Sequence, residues 1–280
     1  MGVTKILLNE NVDTKILKLN FNEIKEKKID DQFRLKLRKT FHYPGIIILD
    51  NILDEELLNK LQLSLSSKKR KFKDKFIDQT KISEQVKFSK LIASEIISEI
   101  TTNLFGFNTP KKDFGLRNMI CNEEPMHFDS FFSKCGITPL MSITNIDKNP
   151  RLWNVSSSFD DLLIRKNKEF RKLFIKDNRN ISASIKIREN CDLNFEKDEF
   201  HKIYFAPNSM WFTNPKIVSH QLVSGGGILI NTWNINELPC KCQDCLLRKN
   251  GFNQAADQAL QANKNNILKK IFRKIKTYIK

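Results

Sequence analysis

A series of short apolar segments, each followed by turn residues, dominates the second half of the sequence and constrains the fold most. The segments span residues 137–143, 181–187, 203–205, 210–213, 217–223 and 228–233. Segments this short and this closely spaced are typical of the strands of a β-sandwich or a jelly-roll barrel. A helical pattern over residues 159–174 separates the first two. We therefore predict a barrel-like β core over residues 111–236.

The N-terminal part of the chain is predicted to be mainly helical, with one strong strand signal. Residues 45–50 are apolar up to the final Asp, which indicates a buried strand. Asp54 can then cap a helix that carries Glu55 and Glu56 in its first turn, where the helix dipole favours acidic side chains. A second helix is predicted over residues 89–105, with an apolar side formed by Leu91, Ile92, Ile96, Ile97, Ile100 and Leu104.

The sequence contains no internal repeat and no linker rich in Pro, Gly or Ser, so we predict one main domain. This domain covers residues 1–262. It combines an N-terminal α/β part (1–110), the β core (111–236) and a Cys-containing loop (237–262). The predicted fold class is α+β, mainly β, with the N-terminal helices packed against a jelly-roll core and a short amphipathic helix over residues 263–280.

The formal net charge of +16 requires anionic partners or surfaces, and much of it lies at the C-terminus. Residues 264–280 contain seven basic residues, no acidic residue, and apolar residues at helical spacing. Such a helix can lie on an anionic membrane surface, or it can pack its apolar side on its own domain; both interpretations stay open. The basic run at residues 68–75 is interpreted as a solvated loop. No nucleic-acid recognition motif accompanies the charge, so nucleic acid is not an expected partner.

The six cysteines are interpreted as reduced thiols of a cytoplasmic protein, because the chain is not small and its start does not resemble a signal peptide. No segment is apolar for long enough to span a bilayer. Cys240, Cys242 and Cys245 form a C-x-C-x-x-C cluster that can bind a metal, although no fourth ligand is evident nearby. A loop with free thiols is the alternative.

The candidate metal ligands come from the four histidines of the chain. His127 and Asp129 form an H-x-D motif, and residues i and i+2 of a strand point to the same face. His220 also lies in a strand-like run. Two histidines and one carboxylate form the ligand set of non-haem Fe(II) oxygenases. The H-x-D motif alone is not specific, and we assign no role to His42 or to His201, which we expect at the surface.

Several segments around these residues resemble the Kdo hydroxylases, which hydroxylate 3-deoxy-manno-octulosonic acid (Kdo) at carbon 3 on lipid A precursors. The similar segments are residues 127–131 (HFDSF), 144–147 (TNID), 149–162 (NPRLWNVSSSFDDL) and 205–220 (FAPNSMWFTNPKIVSH). The resemblance covers roughly residues 115–236. It implies a double-stranded β-helix (jelly-roll) fold, Fe(II) and 2-oxoglutarate as cofactor and cosubstrate, and His127, Asp129 and His220 as catalytic iron ligands.

The sequence departs from related oxygenases where a cation for the cosubstrate is expected. Many 2-oxoglutarate oxygenases carry Arg or Lys about ten residues after the distal histidine, but residues 221–240 contain neither. Arg151 is the favoured replacement, with Arg117 and Lys134 as further candidates and a structural role for Arg151 as the alternative. Asn231 and Thr232 are predicted to hydrogen-bond the cosubstrate. Trp211 and Trp233 either line the site or belong to the core.

The resulting hypothesis is a cytoplasmic dioxygenase that acts on Kdo-bearing lipid A or a related anionic glycolipid, held at the membrane by residues 264–280. The family carries Arg in the strand after the H-x-D segment, whereas this chain has Pro-Leu-Met-Ser-Ile at residues 139–143. This departure leaves the substrate open. The alternatives are the same chemistry on another polar or anionic substrate, a jelly-roll binding protein without turnover, and a basic protein associated with nucleic acid.

Overall fold

A computed structural model of the chain describes residues 2–26, 29–42, 45–63, 65, 83–106, 113–118, 126–129, 137–168, 199–236 and 243–252. The strands in these ranges are β1 (Lys5–Leu7), β2 (Lys15–Leu19), β3 (Gly45–Leu49), β4 (Asp113–Asn118), β5 (Ile137–Asn145), β6 (Arg151–Ser158), β7 (His201–Phe205), β8 (Met210–Thr213), β9 (Val218–Ser224) and β10 (Gly227–Asn236). The helices are α1 (Phe21–Glu26), α2 (Asp31–His42), α3 (Glu55–Gln62), α4 (Glu84–Phe105), α5 (Phe159–Arg165) and α6 (Gln243–Lys249).

The strands form two sheets, and the chain passes repeatedly from one to the other. The small sheet has the order β1-β7-β6-β9, and the large sheet has the order β2-β3-β8-β5-β10-β4. All neighbouring strands are antiparallel except β2 and β3. In chain order, β4 and β5 lie in the large sheet, β6 and β7 in the small sheet, and β8, β9 and β10 in the large, small and large sheet. Two facing, mainly antiparallel sheets connected in this way confirm the predicted jelly-roll core.

An inner core fills the space between the two sheets. The large sheet contributes Ile46, Ile143, Trp211, Ile228 and Ile230 among others, and the small sheet contributes Trp153, Val155, Ile203, Phe205 and Leu222. These residues alternate with residues of the opposite face along each strand, because successive side chains of a strand point to opposite sides. A residue that shares its strand face with these side chains therefore points into the barrel.

An outer core lies between the large sheet and helices α2, α3 and α4. It contains Ile47, Leu49, Phe212, Leu229 and Trp233 from the sheet, and Leu37, Leu57, Ile97 and Leu104 from the helices.

The helix starts agree only partly with the sequence. Asp54 caps α3 as predicted, since its carboxylate accepts a 2.7 Å hydrogen bond from the Leu57 amide. Helix α4 begins at Glu84, earlier than expected, because Ser83 supplies the cap. Leu91, predicted on the apolar side, is 57% exposed.

Among the described residues before 110 there are three strands, where the sequence indicated only one. β3 is buried throughout, as predicted. β1 and β2 were not expected; β1 extends the small sheet beside β7, and β2 extends the large sheet parallel to β3. The first fifty residues therefore add strands to both sheets. In the small sheet, β1 is far in sequence from its partner β7.

Several predictions fall on residues outside the described ranges. These are the strand at 181–187, the end of the helix at 169–174, the basic run at 68–75, the basic helix at 263–280, and two of the three clustered cysteines. The third, Cys245, lies in α6, so residues 243–249 are helical rather than part of a loop. In the part of the chain that the structure describes, no helix is long and apolar enough to cross a membrane.

Candidate metal centre

Backbone hydrogen bonds bring the two candidate histidine ligands side by side. The His127 amide donates to the His220 carbonyl (3.0 Å) and the His220 amide donates to the His127 carbonyl (2.9 Å), so His127 extends the small sheet beyond β9. His220 shares its strand face with the inner-core residues Val218 and Leu222. The Asp129 amide donates to the Pro215 carbonyl at 2.8 Å, which fixes the third candidate just before β9.

The side chains of His127, Asp129 and His220, which the sequence suggested as one ligand set, converge. One possible ligand atom from each lies within 4.8 Å of the others. The distance to the Asp129 Oδ1 atom is 3.7 Å from His127 Nε2 and 3.9 Å from His220 Nε2. A metal ion about 2.1 Å from each donor can bridge atoms separated by up to about 4.2 Å, so these two distances fit a shared ion.

The orientation of the His220 ring also suits metal binding. Its Nδ1 atom lies 3.1 Å from the Val218 carbonyl, a contact that holds the proton on Nδ1 and leaves Nε2 available as a ligand. Trp153 stacks on the other side of the ring, with centroids 5.0 Å apart and planes inclined by 20°. The His127 and His220 rings lie 4.6 Å apart at 51°. Together these contacts hold the imidazole in position for metal binding.

The composition and exposure of the cluster favour a catalytic metal over a structural one. Both histidines are buried, whereas the Asp129 side chain is 38% exposed. Three protein ligands would leave further coordination positions on a bound ion, and the exposed carboxylate shows that solvent reaches the cluster. Among the described residues, this is the one group of three acidic, His or Cys side chains close enough to hold a metal ion.

The three tryptophans occupy different positions relative to the cluster. Trp211 lies in the inner core, where its ring meets Trp153 edge-on at 5.3 Å and stacks on Phe205 at 3.7 Å. Trp233 belongs to the outer core and lies on the far side of the large sheet. Trp153 is the tryptophan in contact with a candidate ligand. The sequence analysis overlooked that role. Trp153 lies two residues before Val155, so both side chains point to the inner face of β6, and Val155 pairs in register with His220.

Arg151 lies inside the barrel, but its described contact is with a turn. It is buried and pairs in register with Phe205, an inner-core residue. Its Nη1 donates to the Gly226 carbonyl at 3.1 Å, within the turn that joins β9 and β10. Arg151 precedes Trp153 by two residues, so Trp153 separates it along β6 from the level of His220. The structure therefore supports the structural role considered for Arg151 and leaves its role towards a cosubstrate as a proposal.

The other predicted cosubstrate residues have different positions. Arg117 pairs in register with Ile228, whose side chain belongs to the inner core. Lys134 lies outside the described ranges. Asn231 alternates with Ile228 and Ile230 and shares its face with Leu229 and Trp233, so it points to the outer core and away from the cluster. Thr232 pairs with Met141, which packs on the inner core. The register thus brings Thr232, rather than Asn231, to the inner face.

His201 is buried, so the expectation of a surface position is wrong. Its Nδ1 accepts a 2.9 Å hydrogen bond from the Asn9 amide, and its Nε2 lies 2.8 Å from the Thr14 carbonyl. Burial lowers the pKa of His201, although the contact with Thr14 and the charge of Asp13 act in the opposite direction. His201 therefore joins the N-terminal segment to β7, and β6 separates it from His220, since both histidines pair in register with Val155. His42 is the last residue of α2.

Comparison with solved structures confirms the predicted fold. The Kdo hydroxylase KdoO in complex with succinate and Fe(III) matches with a TM-score of 0.58 and 16% identity, over 89% of this chain and 96% of KdoO. The complex of KdoO with α-ketoglutarate (2-oxoglutarate) and Fe(III) gives 0.57 and 15%, over 90% and 96%. The apo structure gives 0.55 and 15%, with the same coverage. This chain has the fold of KdoO.

The sequence-based comparisons gave no corresponding match. No protein-family model matches the chain, and no curated protein is detectably similar to it in sequence. The likeness is thus carried by the arrangement of the strands, together with the short segments noted in the sequence.

Proposed function

We propose that this protein is a non-haem Fe(II)- and 2-oxoglutarate-dependent dioxygenase. The observation that carries the proposal is the convergence of His127, Asp129 and His220 within a double-stranded β-helix fold. Two imidazoles and one carboxylate with open positions are typical of the Fe(II) oxygenases that use a 2-oxo acid. The structural neighbours, which are described as Fe(II)- and α-ketoglutarate-dependent dioxygenases, support the same reaction class.

In this proposal the iron is held by His127, Asp129 and His220. When bound, iron and 2-oxoglutarate supply the activation of oxygen, which protein side chains cannot provide. The protein then orients the metal ligands and excludes water from the inner side of the site. The Val218 carbonyl and the Trp153 ring hold His220 in its orientation. The packed aromatic residues of the inner core exclude water from the inner side of the cluster, so substrate approaches past the exposed Asp129 side chain.

The distal carboxylate of 2-oxoglutarate requires a positive charge inside the barrel. We propose Arg151 for this role, with Arg117 and Lys134 as the further candidates. Arg151 is supported by its burial on the inner face of β6, and Arg117 by its register position opposite Ile228. Asn231 was predicted to hydrogen-bond the cosubstrate; from the outer core it can act only indirectly, through the backbone of β10.

We propose Kdo of lipid A, or of a related anionic glycolipid, as the substrate, with hydroxylation at carbon 3. The support is the sequence resemblance over residues 149–162 and 205–220 and the KdoO-like fold. The net charge of +16 is compatible with an anionic glycolipid. In the same proposal the enzyme acts in the cytoplasm, and residues 264–280 contact the inner face of the anionic membrane.

The decisive experiment is mass spectrometry of Kdo-bearing lipid A after incubation with the protein, Fe(II), 2-oxoglutarate and oxygen. A gain of one oxygen atom that a His220→Ala variant loses supports both the reaction and the substrate. Succinate formed without that gain keeps the dioxygenase and rejects Kdo. If neither product forms, a binding protein without turnover replaces the proposal; the lack of a cation over residues 221–240 favours that second candidate.

The membrane contact has a separate test. Deleting residues 264–280 is expected to weaken co-sedimentation with vesicles that contain phosphatidylglycerol, and added salt is expected to have the same effect on the full chain. Equal sedimentation of both forms at low salt would reject this part of the proposal without affecting the reaction.

A further inference from the structure

Two indole N–H groups and one hydroxyl group on the inner face of the barrel have no hydrogen-bond partner among the described residues. They are the indole Nε1 atoms of Trp153 and Trp211 and the hydroxyl Oγ1 of Thr213. All three side chains are almost completely buried. A buried polar group without a partner is unfavourable, so such groups are normally satisfied by a ligand or by water.

The three donors lie on the cluster side of the barrel. Trp153 stacks on His220, and Trp211 meets Trp153 edge-on. Thr213 follows Trp211 on the same face of β8 and pairs with Met141, which packs on the inner core. The chain then continues to Pro215, whose carbonyl accepts the Asp129 amide. Trp153 therefore contacts His220 directly, Trp211 reaches it through Trp153, and Thr213 lies two residues before the residue that binds the Asp129 amide.

The chemistry of the three groups selects the kind of ligand. An indole N–H can only donate, and the Thr213 hydroxyl can donate as well. A carboxylate has about four lone-pair positions, more than a single guanidinium satisfies, and it forms its strongest hydrogen bonds where water is excluded. A cationic group would be repelled by these donors. Any acceptor oxygen can satisfy an indole N–H, but an anionic oxygen forms the stronger hydrogen bond with it, so the set suits a carboxylate best.

The opposite face of the same sheet provides a contrast. Ser142, Thr144 and Asn231 also lack partners among the described side chains, but they lie in the outer core, behind the sheet. Hydroxyl and amide groups combine donors with acceptors, so this second group suits a buried water. Thr144 is thus a matched control for Thr213, since both are buried threonines of one sheet with unsatisfied hydroxyls and opposite orientations.

We propose that Trp153, Trp211 and Thr213 form the neutral half of the subsite that binds the distal carboxylate of 2-oxoglutarate, beside the cation that supplies the charge. This inference rests on the proposed function. It makes Thr213 and Trp211 binding residues for the cosubstrate, and it explains how a chain without a cation over residues 221–240 can retain a dicarboxylate.

The test is calorimetric titration of the cobalt(II)-loaded protein with 2-oxoglutarate and, separately, with 2-oxobutyrate, which lacks the distal carboxylate. Thr213→Val keeps the shape of the side chain and removes the donor. We expect it to weaken 2-oxoglutarate binding about tenfold and to leave 2-oxobutyrate binding unchanged. Thr144→Val is expected to bind both ligands as the wild type does. Trp211→Phe, which removes one N–H, should show the same selectivity for 2-oxoglutarate.

The outcomes separate the inference from the proposed function. If the wild type binds both 2-oxo acids but Thr213→Val and Trp211→Phe lose no affinity for 2-oxoglutarate, the inference is wrong and the dioxygenase proposal stands. An equal loss for both ligands also overturns it, because the distal carboxylate would then not be the group contacted. If the cobalt(II)-loaded wild type binds neither 2-oxo acid, the proposed function itself fails.

Discussion

The amides and carbonyls of His127 and His220 bond reciprocally, at 3.0 and 2.9 Å, although the two residues are far apart in the sequence. Two of the three candidate ligands are therefore positioned by the backbone next to and within the small sheet. The third ligand, Asp129, is fixed through its amide to Pro215. A site built on backbone contacts in this way is largely preorganised.

Replacing Asp129 by Asn should remove metal binding without unfolding the protein. The variant keeps the hydrogen bond from its backbone amide to the Pro215 carbonyl and the size of the side chain, but it loses the negative charge of the carboxylate ligand. We expect cobalt(II) affinity, measured by calorimetry, to fall by a factor on the order of 100 or more. Glu95→Gln, at an exposed position of α4, serves as the charge-matched control. Unchanged affinity in Asp129→Asn would remove this residue from the ligand set.

Replacing Gly226 by Ala should destabilise the turn between β9 and β10. A Cβ atom at Gly226 would overlap the Asp147 carboxylate, whose Oδ2 accepts a 3.1 Å hydrogen bond from the Gly227 amide. The adjacent Gly225 has φ +144°, and a Cβ there would lie 2.6 Å from Arg151 Cγ. We expect urea denaturation to show a loss of about 2 kcal/mol in unfolding free energy. The exposed neighbour Ser224→Ala should change it by less than about 0.5 kcal/mol.

The stability of the protein should fall on mild acidification, because of His201. Burial lowers the pKa of its imidazole in the folded state, so the unfolded chain binds more protons below about pH 6.5. The contribution of His201 is thus fully present above its unfolded pKa and is lost as the pH falls through 6.5 towards the lower folded pKa. Protonated Nδ1 would also face the Asn9 amide instead of accepting from it.

The measurement is the urea midpoint at pH 7.5 and pH 5.5 for the metal-loaded wild type and for His201→Gln. The wild type should lose more stability between these two pH values than the variant, whose side chain does not titrate. An equal loss in both proteins would show that other groups cause the pH dependence.

Replacing Ser158 by Ala should loosen the contact between the N-terminal segment and helix α5. The Ser158 hydroxyl donates to Asp13 Oδ2 at 2.6 Å and accepts from the Asp161 amide at 3.0 Å, which caps the helix. Loss of a helix cap lowers the free energy of unfolding by about 1 kcal/mol, and loss of the partly buried hydrogen bond to Asp13 should lower it further. Chemical denaturation compared with Ser224→Ala tests this. A difference of less than about 0.3 kcal/mol would mean that water replaces the hydroxyl at no cost.

The candidate metal ligands could be named from the sequence because metal chemistry restricts such ligands to a few residue types at spacings that a strand allows, and the structure brings the three side chains together. The sequence could not predict, however, to which side of the large sheet the Asn231 side chain points. β10 is covered by the inner core on one face and by helices on the other, so its apolar residues are continuous rather than alternating. A strand of this kind carries no signal that distinguishes its two faces. Asn231 was therefore predicted at the site, and the structure places it behind the sheet.

β1, β2 and the burial of His201 were missed for a related reason. β1 has three residues with only the middle one partly buried, and it becomes a strand by pairing with β7. His201 stands between Phe200 and the exposed Lys202, and its burial depends on Asn9 and Thr14 of the distant N-terminal segment. Local patterns cannot report contacts of this range, whereas the Asp54 cap, which is local, was predictable.

The pairing of β1 with β7 has a consequence for biosynthesis. Lys5, Ile6 and Leu7 pair with Tyr204, Ile203 and Lys202, so β1 lacks its partner strand until some two hundred further residues have been made. Contacts of such long range make folding slow. During that interval the segment, with Val3 and Leu8 exposed even in the finished protein, is open to chaperones and to association with other chains. A bulky N-terminal fusion would be expected to act at this late closing step rather than on the metal centre.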